Sequence, residues 1–168
     1  VLSTNLTFAE TLEPVVNNLQ DSGAVFVNDA IRVEGEGLLL GGDEGTTVAV
    51  IEGCFVPEGS NDCIEISPVT LPVTPDTPYD RTQGSFSFSP RIAGIRAGRF
   101  EGRVQFRNEH GGGDVLESDR IPVAYELLET TISEVGDGGS LGQFIPITGG
   151  GFIGGDDGIP LLQSEGQF

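Results

Sequence analysis

Arg99-Phe-Glu-Gly-Arg-Val-Gln-Phe-Arg107 alternates without a break: Phe100, Gly102, Val104 and Phe106 fall on one side, and Arg99, Glu101, Arg103, Gln105 and Arg107 on the other. Successive side chains of a strand point to opposite faces, so this stretch predicts a strand with one face in a core and the other in water. Ser85-Phe-Ser-Phe-Ser89 alternates likewise and stops at Pro90. Residues 119–127 give a further strand, in which Pro122 fits an edge or strand-start position. More strands are expected at 30–39, 46–55 and 64–66, and helical periodicity is nearly absent. Gly, Asp, Asn and Pro clusters at 41–45, 57–62, 75–78 and 109–114 form the joints. About seven short strands in roughly a hundred residues predict an all-β class and a β-sandwich.

The sequence also repeats itself. Ile31-Arg-Val-Glu-Gly-Glu-Gly-Leu-Leu-Leu-Gly-Gly-Asp-Glu-Gly45 returns as Ile145-Pro-Ile-Thr-Gly-Gly-Gly-Phe-Ile-Gly-Gly-Asp-Asp-Gly158, and both copies run on to Glu-Gly-x-Phe, at Phe55 and Phe168. A second pair, Phe8-Ala-Glu-Thr-Leu-Glu-Pro-Val-Val16 and Ala124-Tyr-Glu-Leu-Leu-Glu-Thr-Thr-Ile132, looks like a closing strand passing into the next unit. A repeat of this length is a domain, not a solenoid unit. The expected organisation is tandem: residues 1–13 close a preceding module, 14–129 form one complete sandwich, and 130–168 open a following one.

Composition bounds the partners. The 168 residues hold 26 acidic and 8 basic side chains, all eight Arg, for a formal charge of −18. Nucleic acid and anionic membrane surfaces are therefore poor partners. No run approaches the roughly 18 apolar residues of a membrane span, so no membrane insertion is expected. Cys54 and Cys63 flank the turn-forming Phe-Val-Pro-Glu-Gly-Ser-Asn-Asp, which lets two strand ends approach. A disulfide closing this loop would place the chain in an oxidising, extracytoplasmic setting, extracellular or at the cell surface.

The phrase Ile-x-Val/Ile-x-Gly-x-Gly-Leu/Phe at Ile31 and Ile145, followed by a Gly-rich turn and an alternating strand, resembles the opening hairpin of immunoglobulin-like domains of the IPT/TIG kind. Residues 97–108 with Ile121-Pro-Val-Ala-Tyr125 are similar to the last hairpin of bacterial and archaeal surface Ig-like repeats. The resemblance implies an Ig-like β-sandwich serving as a binding or spacer module, with no catalytic residues and no cofactor. Residues 67–82, with Pro68, Pro72, Pro75 and Pro78, depart from the family pattern as an insertion-like stretch.

His110 stands beside Glu109 and Asp114 in a Gly-rich turn, with neither burial nor a nucleophile to activate, so no catalytic residue is assigned. The recurring pairs Asp43-Glu44 and Asp156-Asp157 could serve as hard calcium ligands or as solvated turn acids. Arg99, Arg103 and Arg107 form a basic stripe that would meet acidic turns of neighbouring modules or chains, or pair within its own sheet. Leu6 and Phe8 lie on the strand at residues 5–12 that could be donated to a neighbour. Asn5-Leu-Thr7 is a glycosylation sequon.

Two function classes follow. One is a structural or adhesive repeat of an extracellular or cell-surface protein, meeting neighbouring modules and a surface or glycan ligand. The other is a self-associating protomer of an extracellular filament, built by strand exchange between incomplete sandwiches. A carbohydrate-binding module is a weaker third, since only Tyr79 and Tyr125 accompany the phenylalanines and there is no Trp.

Overall fold

The computed structural model describes residues 11–27, 29–87, 97–136 and 144–152. Its strands are β1 (Val15–Leu19), β2 (Ser22–Phe26), β3 (Ala30–Glu36), β4 (Gly45–Pro57), β5 (Ile64–Pro72), β6 (Thr74–Pro75), β7 (Gln83–Ser87), β8 (Gly98–His110), β9 (Val115–Leu128), β10 (Thr131–Val135) and β11 (Ile147–Gly150). A single 3-10 turn at Gly42–Glu44 is the only helical element among the described residues. The protein is all-β.

Residues 15–128 form two sheets. One has four strands in the order β1-β3-β7-β6, the other five in the order β2-β9-β8-β4-β5. Period-two burial in β8 turns Phe100, Val104 and Phe106 inward, each 0% exposed, as the alternation of 99–107 requires. They meet Ile31, Val33 and Phe86 of the other sheet in one core, where the rings of Phe86 and Phe106 lie 5.8 Å apart edge to face. Burying each such side chain contributes about 1.5–3 kcal/mol. Two sheets closed on one core in this way are compatible with a β-sandwich.

The prolines mark edges. β5 runs through Pro68 to Pro72, well beyond the short strand expected at 64–66, and β6 ends on Pro75. Both are outermost strands, where a missing N–H removes no ladder bond. Pro122 obeys the same rule inside β9. The N–H of Ala124 donates to the Asp21 carbonyl oxygen, and β2 pairs with β9 only from Ala124 onward. Two residues earlier, the Pro122 nitrogen therefore faces the uncovered side of the strand.

One expectation is corrected. β3 and β4 do not form a hairpin, because they belong to different sheets. Gly37, at φ 73°, turns the chain, and Leu38 and Leu39, each 1% exposed, dive into the interior and carry it across the end of the core. The N–H of Leu39 donates to Thr47 Oγ1 and that of Leu38 to the Arg81 carbonyl, so the backbone stays satisfied as it crosses. By contrast, β8 and β9 form the expected antiparallel hairpin. At its bulge between Gln105 and Arg107, the Phe106 N–H donates to Ser118 Oγ instead of to a ladder carbonyl.

β10 and β11 pair only with each other among the described residues, and they repeat the geometry of β1 and β3. Val16 faces Gly35, Asn18 faces Glu34 and Leu19 faces Val33; Ile132 faces Gly149, Glu134 faces Thr148 and Val135 faces Ile147. The bulge falls at the same place in both pairs, after Val16 and after Ile132. The closing bonds also match: Gln20 N–H to the Arg32 carbonyl, Gly136 N–H to the Pro146 carbonyl. At both glycines a Cβ would overlap a carbonyl oxygen of the bulged partner, Val15 for Gly35 and Thr131 for Gly149. Gly37 and Gly151 then take the same left-handed turn, at φ 73° and 74°.

Candidate functional site: the two poles and the arginine face

The chain enters the two-sheet body at one pole and leaves it at the other. At the entry pole, Asn108 near the end of β8 is 0% exposed. Its side-chain amide donates to the carbonyls of Leu12 and Gly37, at 2.8 and 2.7 Å, and its Oδ1 accepts from the Thr47 hydroxyl at 2.7 Å. His110, the only histidine, accepts the Leu12 N–H at Nε2, and its Nδ1 lies 3.2 Å from the Asp114 carbonyl. Those contacts require the tautomer protonated at Nδ1. The side chains of Asn108 and His110 therefore clamp the incoming segment, a positioning role for a histidine that the sequence places in an exposed turn.

At the exit pole, β9 passes into β10 through Glu129 and Thr130. The Thr130 hydroxyl donates to the Gly151 carbonyl at 2.8 Å, and the Phe26 ring lies against Gly150 and Gly151 so closely that a Cβ on Gly151 would strike it. The link is thus packed, not free. Beside it opens a cleft of about 780 Å³, lined by 56–61, 97–99 and 126–131, with Arg99 on its rim. The Glu129 carboxylate accepts the Ala97 N–H across this cleft.

The outer face of the five-stranded sheet carries the arginines. Arg103 and Arg120 converge on Glu52 at 3.1 and 3.4 Å, Arg107 pairs with Glu109 at 2.6 Å, and Arg99 with Glu101 at 3.1 Å. Arg103, Arg107 and Arg120 border a shallow pocket of about 190 Å³ with Val50 and Pro68. Each arginine of the stripe is thus engaged inside its own sheet, and Arg99 stands apart at the exit pole.

Cys54 and Cys63 form a disulfide, with Cα atoms 5.6 Å apart, that joins the end of β4 to the start of β5. Asp43 is exposed in the 3-10 turn, while Glu44 has both oxygens occupied: one pairs with Arg81 and the other accepts the Leu40 N–H at 3.1 Å. No group of three or more His, Cys, Asp or Glu gathers for a metal among the described residues. Asp156, Asp157, Leu6, Phe8 and the Asn5 sequon lie outside the described residues.

Tyr125 is buried in β9, its hydroxyl donating to the Gln20 carbonyl at 2.6 Å. Burial raises the pKa of its phenol well above the usual tyrosine range, with the charge of Asp21 adding to the effect. Sequence reasoning missed Phe26, Thr47, Asn108 and Arg120 as contact residues. The glycines that recur at 37 and 151 are the sequence signal that could have found the junction. No helix among the described residues is long and apolar enough to cross a membrane. No protein-family model matches the chain, and no curated protein matches its sequence.

Proposed function

We propose that this chain is a non-catalytic structural repeat of an extracellular or cell-surface protein, in which Ig-like sandwiches follow one another end to end. The observation that carries the reading is the second strand pair. β10 and β11 reproduce the register, bulge, closing hydrogen bond and two glycines of β1 and β3, as the opening of a following module would. On this reading residues 14–129 are one module and 130–168 begin the next.

Strand order supports the Ig-like assignment. The order β1-β3-β7-β6 set against β9-β8-β4 corresponds to the ABED and GFC sheets of such sandwiches, with β2 a continuation of the first strand that crosses to run parallel to the last. The Cys54–Cys63 disulfide supports an oxidising compartment. Of the two tyrosines, Tyr125 is buried and Tyr79 stands alone at the surface, which gives a sugar-stacking platform little support.

Concatemers of one, two and three copies of residues 14–129, imaged by negative stain, test the reading. Rods that lengthen by a constant step with each added copy are expected; particles whose length does not grow with copy number would overturn it. The filament reading draws on the core-type side chains that β10 and β11 leave at the surface.

A further inference from the structure

At the end of β2, Val25 belongs to the core and Val27 packs against it, so the alternation of the chain aims Phe26, between them, the other way. Phe26 takes no part in the core cluster. Its ring lies instead against the second strand pair: a Cβ built on Gly150 would stand 3.2 Å from its Cζ, and one on Gly151 2.4 Å from its Cδ1. Both glycines belong to the segment that leads out of β11, beyond the exit pole of the sandwich.

Gly150 is not required by its own strand pair. Its backbone is not left-handed, unlike that of Gly151, and the first pair carries Glu36 at the same place, opposite Val15 as Gly150 is opposite Thr131. Glycine inside a strand weakens it and marks a site of close approach. Here the approaching group is the Phe26 ring.

We infer that Phe26 is the anchor of a joint between successive modules, its ring seated on the glycines of the following module and fixing the direction in which that module leaves. The partner is the next module on the same chain, so the inference rests on the tandem reading. Only Glu129 and Thr130 separate β9 from β10, which keeps the partner at a high effective concentration. A contact built around one rigid aromatic anchor is then enough to select an orientation.

Hydrogen bonds steady both sides of the joint. The Phe26 N–H donates to Asp29 Oδ2 at 3.1 Å and the Asp29 N–H to the Phe26 carbonyl at 2.9 Å, which holds the backbone that bears the ring. Across the joint, the Thr130 hydroxyl donates to the Gly151 carbonyl at 2.8 Å. The ring is therefore presented in place before the glycines meet it, and little freedom is lost on contact.

NMR of the 168-residue chain tests the joint. Nuclear Overhauser contacts from the Phe26 ring to the α-protons of Gly150 and Gly151 are expected, and residual dipolar couplings of β10 and β11 should fit the alignment frame of the sandwich. Phe26→Ala should abolish that fit while the couplings of β8 and β9 keep theirs. Ile64→Ala, which trims an exposed apolar side chain on the opposite edge strand of the five-stranded sheet, should leave it intact. If Phe26→Ala does not fold, the ring contacts of the unaltered chain decide the matter. Missing ring contacts, β10 and β11 already out of the common frame in the unaltered chain, or a fit that survives Phe26→Ala would overturn the inference. Any of these alongside concatemers that still lengthen by a constant step would sink the joint and leave the tandem reading standing. Concatemers that do not lengthen would remove the partner, and the joint with it.

Discussion

The hydroxyl of Tyr125 reaches the carbonyl oxygen of Gln20 across 105 positions of sequence, tying β9 to the short link between β1 and β2. Folding keeps this phenol neutral beyond the ordinary tyrosine range near pH 10. The unfolded chain therefore releases its proton first as pH rises. The stability contributed by the neutral phenol is fully present below about pH 10 and is lost as pH rises above it towards the folded value. Urea melts at pH 8, 10 and 11 should show this loss, and Tyr125→Phe should flatten it while costing about 1–2 kcal/mol at pH 8 through the unpaired Gln20 carbonyl.

Reducing the Cys54–Cys63 disulfide should lower stability by about 2–3 kcal/mol, as expected for a closed loop of this length. For a body of this size that is a fall in Tm of about 10 °C, readable by calorimetry with and without reductant. The Cys54→Ala/Cys63→Ala double variant should melt at the reduced temperature and no longer respond to reductant.

Asn108→Leu should cost about 2–3 kcal/mol, because the carbonyls of Leu12 and Gly37 and the Thr47 hydroxyl lose their partner at a fully buried position. Removing a second polar group should help: Thr47→Val added to Asn108→Leu should cost less than the sum of the two single changes. A double-mutant cycle of chemical melts measures the difference, and strict additivity would show that the two side chains do not act as one network.

Equivalent glycines should differ in consequence. Gly35→Ala should destabilise the two-sheet body by at least about 2 kcal/mol, since its methyl group meets the Val15 carbonyl. Gly149→Ala meets the Thr131 carbonyl in the same way but should leave the main melting transition within about 0.5 kcal/mol. Hydrogen exchange should place the damage: faster exchange in β10 and β11 alone for Gly149→Ala, throughout β1, β3 and β7 for Gly35→Ala.

Much of the fold was legible because burial in β8 and β4 is one-sided, and one-sided burial leaves a period of two in the sequence. β2 left no such trace: Ser22-Gly-Ala-Val-Phe26 is an edge strand that buries Val25 alone, so nothing alternates. β5 was cut short at 66 because Pro68 and Pro72 read as breakers, a rule that holds in a sheet interior and lapses at its rim. The crossing from β3 to β4 was mistaken for a hairpin because a Gly-rich run fits a tight turn equally well; only the inward path of Leu38 and Leu39 distinguishes them. Local sequence also cannot reveal the partners of Asn108, which lie 61, 71 and 96 positions away. The arginine stripe was visible as a pattern, but its pairing with Glu52 depends on the register between β4 and β8.

The parallel pairing of β2 with β9 has a mechanical consequence. Residues 22–26 run beside residues 124–128 in the same direction, while the incoming segment is held at one pole and the outgoing link leaves from the other. Tension along such a chain slides these two strands past each other, loading all their hydrogen bonds together, whereas a hairpin pulled from its open end yields one bond at a time. Force spectroscopy on the concatemer should therefore find a higher rupture force along the chain axis than for the β8–β9 hairpin pulled apart through handles at Gly98 and Leu127. A unit joined in series would resist stretching at the place where β2 and β9 lie side by side.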